Sequence, residues 1–441
     1  MQTNTSLAEK YNIPVPRYTS YPTVPFWKDG IDICAWKNSF VNSFIKGNPK
    51  DGICLYIHLP FCESLCTYCG CTKRITNNHS VEHQYIDAVL AEWRMYYNLM
   101  PAPPVIRELH LGGGTPTFFS SNNLGRLVEG ILKDAVLHPQ FSSSLEGHPN
   151  NTRREHLDLL YGLGFRRVSY GVQDLNEEVQ RLIHRIQPFS HVQKATADAR
   201  EAGFTSVNFD LIYGLPGQSL ERLTRTISRS LTLTPDRVAF YSYAHMPQVS
   251  GNQRLIDENL LPSAPEKLEL YLAGRRMFMD HGYTDIGMDH FSMPGDELYT
   301  SWLSGQLHRN FMGYTIQKSS ILLGLGMSAI SDIGDAYAQN TKSLTDYYRN
   351  VSTGRLPVKK GYFLEEEDKV FRRHILDIAC KGKTTLDLRW STPLNKCTGP
   401  LLHNLEKDGL VSIQGNEVRL TAIGAPFLRH VCKAFDLHLI K

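Results

Sequence analysis

Between Gly52 and Tyr243 strand-like and helix-like segments alternate, and no other feature limits the fold as much. The runs Gly52–Leu59, Val105–Leu111, Ser142–Glu146, Arg167–Val172, Ser206–Ile212 and Arg237–Tyr243 read as strands. Between them Val81–Tyr97, Asn122–Ala135, Arg153–Gly162, Gln187–Ala202 and Leu220–Leu231 carry a helical pattern. Strands separated by helices pair in parallel through right-handed crossovers. Six such units are too few to close an eight-stranded barrel. The expected fold is therefore α/β, an open (β/α)6 three-quarter TIM-like barrel. Its ligands belong at the C-terminal ends of the strands.

The rest of the chain divides around that core, residues 49–250. Residues 1–48 form an N-terminal arm. Its PVPRYTSYPTVPFW segment (Pro14–Trp27) cannot be one long helix, because prolines interrupt it. It reads as an extended arm on the surface, followed by a short helix over Asp32–Ile45. Residues 251–360 extend the core, beginning with a helix over Pro262–Gly282. Residues 361–441 read as a mostly helical, winged-helix-like domain: Glu365–Cys380, Thr398–Asp408 and a hairpin around Gly415-Asn416.

Bulk composition excludes several classes. The 441 residues carry 47 basic and 44 acidic side chains, a net charge of +3. That is far from the basic footprint of a nucleic-acid binder. No run reaches the roughly 18 apolar residues of a membrane span. The N-terminal MQTNTSLAEKYNIP lacks the basic start and apolar core of a signal peptide. Nine cysteines, an odd number, fit a reducing cytoplasm.

Four of those cysteines crowd onto the loop after the first strand: Cys62, Cys66, Cys69 and Cys71, in YIHLPFCESLCTYCGCTKRIT (Tyr56–Thr76). The spacing is C-x3-C-x2-C-x-C. A disulfide pair is poor chemistry in a reducing compartment. A structural zinc site usually wants a second, distant C-x2-C pair or histidines. Three thiolates at these spacings fit three corners of a [4Fe–4S] cube. The fourth iron then needs a non-cysteine ligand, or Cys71.

C-x3-C-x2-C after a strand, with Tyr68 just before the third cysteine, resembles the radical S-adenosylmethionine (SAM) enzymes. The string PFCESLCTYCGC, with its fourth cysteine, is similar to the oxygen-independent coproporphyrinogen III oxidases. The resemblance runs from Pro16 to Asp436 and includes PRYTSYP in the arm. It implies a [4Fe–4S] cluster on Cys62, Cys66 and Cys69, with Cys71 a neighbour and not a ligand. It also implies two SAM molecules, one of them chelating the open iron through its amino and carboxylate groups.

Each remaining motif has a physical reading beside the implied one. Three glycines in HLGGGTP (His110–Pro116) let a backbone approach a ligand closely. By resemblance Gly113, Gly114 and Thr115 belong to a GGE-type motif that contacts SAM. Glu146 ends the third strand, where a carboxylate can hold ribose hydroxyls. The family usually reads E-V-D-P-R there, and this chain has Gly147, His148 and Asn150. Asp210 sits inside an apolar strand, where a carboxylate needs a partner. The resemblance adds Tyr56 and Tyr68 as SAM-pocket residues, Gln173 and Arg185 at the second SAM, Ala244 at the adenine, and Ile330 as a SAM-lining residue.

The implied reaction is the oxidative decarboxylation of two propionates of coproporphyrinogen III to vinyl groups, giving protoporphyrinogen IX. The implied partners are the porphyrinogen and a one-electron donor protein of flavodoxin or ferredoxin type, acting with a monomeric enzyme. Four substrate carboxylates call for cations, and Arg17, Arg309 and Lys73 are the candidates. His290 and His308 suit the same ligand. Two other classes share the scaffold: haem carriers, and radical SAM haem-modifying enzymes. Carriers usually have phenylalanine in place of Cys71 and lack the PRYTSYP arm.

Overall fold

A computed structural model describes residue 7, residues 9–11 and residues 13–440. The first residues of the N-terminal arm lie outside the described residues.

Six strands run parallel in sequence order: β1 (Ile53–Leu59), β2 (Val105–Gly113), β3 (Val136–Gly147), β4 (Arg167–Gln173), β5 (Ser206–Tyr213) and β6 (Arg237–Ser242). Covered on both faces, β1 is buried at every position except half-buried Tyr56, as a central parallel strand should be. The helices are α1 (Ile33–Asp51), α2 (Val81–Tyr97), α3 (Ser121–Leu132), α4 (Arg154–Gly162), α5 (Phe189–Ala202) and α6 (Leu220–Leu231). In α6 the Ser219 hydroxyl accepts from the Arg222 amide and caps the first turn. Its buried residues Leu223, Thr226, Ile227, Ser230 and Leu231 recur at helical spacing and turn one stripe onto the sheet. Truncating Leu223 to alanine would cost about 2–5 kcal/mol. Gly203, at φ +101°, ends α5 in the left-handed conformation that glycine tolerates.

The sheet is wider than the six-unit core. A seventh parallel strand, β7 (Leu322–Leu325), joins the outer edge of β1. Beyond it come antiparallel Ile330–Asp332, Ala336–Asn340, Val358–Phe363 and Lys28–Asp29. Past β6 lie antiparallel His290–Ser292 and Thr284–Gly287. Among the described residues the two outermost strands do not pair, so this sheet of 13 strands stays open. Strand β3 starts six residues before the expected Ser142, since His138-Pro139-Gln140 interrupts the apolar pattern without ending the strand. Helix α1 likewise runs past Ile45 to Asp51.

The arm corrects its surface reading. Tyr18, Tyr21 and Trp27 are at most 4% exposed, and Trp27 stacks on Tyr337 at 4.9 Å. Prolines forbid helix there but suit an extended segment whose aromatics are buried. The C-terminal region holds α7 (Glu366–Lys381), α8 (Gly399–Lys407) and α9 (Leu428–Lys433). A strand unforeseen in the sequence, Lys383–Thr385, adds to the hairpin Val411–Gln414 and Glu417–Leu420. Phe371, Ile375, Leu402, Val418 and Val431 share one core with Tyr18, Tyr21 and Tyr314.

Candidate active site at the strand C-termini

The cysteine loop leaves β1 at Pro60 and folds over the C-terminal ends of the parallel strands. Cys62, Cys66 and Cys69 line one cavity of about 280 Å³. Tyr68, Gly113, Gly114, Thr115, Glu146, Gln173, Arg185 and Asp210 complete its walls. All nine cysteines are free. The Cys62 sulfur lies 3.2 Å from the Thr115 hydroxyl, and Arg185 Nη1 donates to the Cys66 sulfur at 3.7 Å. The Cys69 thiol is lowered to about 6 by a hydrogen bond from Cys71 and by Lys73, against the effect of burial. Three thiols facing one cavity, each with a hydrogen-bonding neighbour, fit a thiolate-ligated cluster.

A second loop grips the first. Asn252 Nδ2 reaches the carbonyls of Cys66, Thr67 and Cys69 at 3.1, 2.8 and 3.0 Å. Gln253 donates to the Tyr68 carbonyl at 2.9 Å. Lys73, a candidate for the substrate mouth, instead donates to the Cys69 carbonyl at 3.1 Å. Asn252 and Gln253 stand in no recognisable motif, because side chains that bind backbone leave none.

Glycine is required where the backbone meets the cysteines. A Cβ on Gly114 would stand 2.5 Å from the Pro60 carbonyl and 3.0 Å from the Cys62 sulfur. Gly113, at φ +127°, donates its amide to Glu146 Oε2 at 3.1 Å. The Glu146 side chain is 43% exposed, and that exposure is to the cavity. Burial raises its carboxyl, but His110 and the Gly113 amide outweigh this and hold it below its ordinary value. Asp210 behaves oppositely. Burial and the nearby Glu146 push it up to about 7, although Asn208 and Ser169 donate to it at 2.9 and 3.1 Å. One acidic group is thus ionised and the other poised near neutrality.

Gln173 occupies φ +66°, rare for a side chain, at a register shift where β4 meets β5. Such irregularities re-aim side chains beside functional sites. Arg185 is held by the Gly171 carbonyl, and its Nε is buried without a partner. An unused buried donor facing this cavity suits a ligand acceptor.

Three expected residues lie outside the wall of this cavity. Tyr56 is just beneath it: its ring would be met by a Cβ on Gly112, and its hydroxyl contacts His58 Nδ1 at 3.1 Å. Ala244 is exposed, with its carbonyl taken by Gln253 at 3.3 Å. Ile330 is on the antiparallel flank, against the group containing Trp27 and Tyr337.

The radical SAM superfamily matches residues 56–229. The oxygen-independent coproporphyrinogen III oxidase of Salmonella typhimurium is 38% identical over 440 residues, 98% of this chain and 95% of the relative. That of Helicobacter pylori is 37% identical with the same coverage. The structure of coproporphyrinogen III oxidase (HemN) from Escherichia coli, a radical SAM enzyme, superposes with a TM-score of 0.89. It is 37% identical and covers 96% of this chain and 97% of its own. This chain belongs to the oxygen-independent coproporphyrinogen III oxidase family.

The departure from the oxidase pattern after Glu146 now has a setting. A Cβ on Gly147 would come within 2.9 Å of both Thr152 and Tyr170, so a larger residue would need those side chains to move. His148 lines the cysteine cavity, and burial, helped by Arg185, pushes its pKa well down. Where the oxidases usually place a carboxylate, this chain presents a neutral imidazole.

Proposed function

We propose that this chain is a radical SAM oxidase that decarboxylates two propionates of coproporphyrinogen III to vinyl groups. The observation that carries the reading is the convergence of three cysteines, the Gly113–Gly114 turn, Glu146, Arg185 and Asp210 on one cavity, in a chain aligned end to end with the family. When bound, a [4Fe–4S] cluster and SAM supply the radical that takes a hydrogen from the propionate.

In this reading Cys62, Cys66 and Cys69 hold the cluster. Gly113, Gly114 and Thr115 bring backbone and hydroxyl to the SAM beside it, and Glu146 accepts from its ribose. Tyr56 backs that pocket from below, with Ile330 on its flank. Gln173 and Arg185 serve a second SAM, and Tyr68, Asp210 and Ala244 are further SAM-pocket residues, Ala244 at an adenine. The Arg185–Cys66 contact ties that second site to a cluster ligand. Asn252 and Gln253 keep the cysteine loop in place during turnover. The walls exclude water, which would otherwise compete for reactive species.

The reading entails a one-electron donor protein, a final acceptor for the electron each substrate radical gives up as it loses CO2, a monomeric enzyme and a cytoplasmic setting. Nine free thiols support a reducing compartment. No helix among the described residues is long and apolar enough to cross a membrane. The test is anaerobic reconstitution of serine variants. Cys62→Ser, Cys66→Ser and Cys69→Ser should each lose cluster iron and SAM cleavage, whereas Cys71→Ser should keep the iron. Full SAM cleavage by any of the first three would remove the assignment.

A further inference from the structure

A surplus of positive charge lies behind Tyr241, with Arg309 buried and Arg17, Lys267 and Arg429 half-buried. Tyr241 is a wall shared by the cysteine cavity and a smaller cavity, about 130 Å³, deeper in the barrel. The Arg17 guanidinium lies 4.7 Å over the Tyr241 ring. Arg309 lies 4.8 Å over the ring of Tyr314, which lines the deeper cavity. His290 stands edge-on to both rings, at 5.9 and 5.2 Å. Five side chains therefore form one continuous layer against the lumen.

Arg309 is only 4% exposed. Its Nη2 donates to the Arg17 carbonyl at 3.2 Å, but Nε and Nη1 are buried with no partner, as is His290 Nδ1. Two more cations stand close. Arg429, on α9, is 3.7 Å from Asp289, and Lys267 donates to the Tyr243 carbonyl. Burial, Arg429 and Arg17 push Lys267 down to about 8.

Asp289 has a cation of its own only in Arg429, at 3.7 Å. Asp285 is bound to Arg275 at 2.7 Å, and Asp296 to Arg237 at 2.7 Å. Asp210 is engaged by Asn208 and Ser169. Buried charges are ordinarily paired and buried donors ordinarily used. Arg17 donates to the Ser242 carbonyl at 3.3 Å, Lys267 to Tyr243, and Arg429 pairs with Asp289. Arg309 alone of the four keeps buried donors unused, and an anion at Arg309 would satisfy them. Guanidinium groups suit carboxylates in particular.

We propose that Arg309, supported by Arg17, Arg429 and Lys267, binds carboxylates of the porphyrinogen other than the one that is reacting. The reacting side chain then extends past Tyr241 into the cysteine cavity. The N-terminal arm and the C-terminal helix α9 thereby become parts of the substrate site. This inference rests on the oxidase reading for the identity of the ligand, a polycarboxylate.

The test uses full-length, cluster-loaded protein and its Arg309→Gln, Arg309→Lys and Arg429→Gln variants. KM for coproporphyrinogen III, the Kd for SAM, and binding of coproporphyrin III and its tetramethyl ester would be measured. Arg309→Gln should raise KM and weaken tetra-acid binding about 10- to 100-fold, the effect of losing a charge-assisted hydrogen bond. Arg309→Lys should recover part of the loss. Ester binding and the SAM Kd should not change. Arg429→Gln, at the half-exposed edge of the cluster, carries the test alone if Arg309→Gln does not fold. Unchanged tetra-acid binding in the variants, or weakened SAM binding instead, would overturn the inference. Arg309-dependent tetra-acid binding in a protein that decarboxylates nothing would uphold it while refuting the oxidase.

Discussion

Glu146 and Asp210 line one cavity but titrate in opposite directions. His148 stays neutral and Arg185 charged around them, so Asp210 is the wall group that changes charge near pH 7. SAM is a cation at sulfur and binds better beside an ionised carboxylate. Its affinity for the cluster-loaded protein should therefore rise as pH increases from 6 to 8. The gain is about tenfold for each unit by which bound SAM lowers the Asp210 pKa. Asp210→Asn should flatten the profile; an equally steep profile in that variant would assign the titration elsewhere. Gly114 is a second point of leverage. Gly114→Ala places a methyl against backbone at Pro60 and against the Cys62 sulfur, so cluster iron should fall sharply. Gly70→Ala, in the same loop with nothing within 4 Å of its Cβ, should retain iron. Equal iron in both would show that the turn has room.

Elements, as opposed to residues, are joined here by side chains buried in unusual company. Glu92 on α2 is fully buried. It accepts from the Gly326 amide, Asn340 and Tyr347 at 2.8, 2.7 and 2.7 Å. One carboxylate thus fastens a helix of the barrel to the turn after β7 and to the antiparallel flank. Burial pushes it up to about 7. Replacing Glu92 with leucine would strand three buried donors, each worth about 1–3 kcal/mol. A drop of at least about 3 kcal/mol in unfolding free energy should follow in denaturant titration. Asn252 plays the corresponding part for the cysteine loop. Asn252→Ala should speed iron loss to a chelator severalfold while leaving secondary structure intact, as circular dichroism would show. Neither link was legible in the sequence. The six strands were, because parallel strands buried on both faces leave apolar runs. The sheet's outer strands were not, since pieces of two to six residues carry too little pattern. The cysteine, glycine and Glu146 positions were legible because their spacing is tied to local backbone. Arg429 was not, because it comes to the site from the far end of the chain.

Across the molecule, the arm and the C-terminal region share one core beside the barrel, and the barrel encloses a polar cavity. A barrel that only stabilised itself would fill that space with branched apolar side chains. This one instead places the ion pairs Arg167–Glu108 and Arg237–Asp296 and the Asp210 network around a cavity, the arrangement of a protein that admits a polar ligand. The central claim is that this ligand is a porphyrinogen whose propionates lose CO2. The most direct measurement is anaerobic: reconstitute the protein with iron and sulfide, add SAM, a reductant and coproporphyrinogen III, and follow the products by mass. The account predicts a product lighter by two CO2 units and four hydrogen atoms, formed together with 5′-deoxyadenosine. Deoxyadenosine with the porphyrinogen unchanged, or no deoxyadenosine at all, would contradict it.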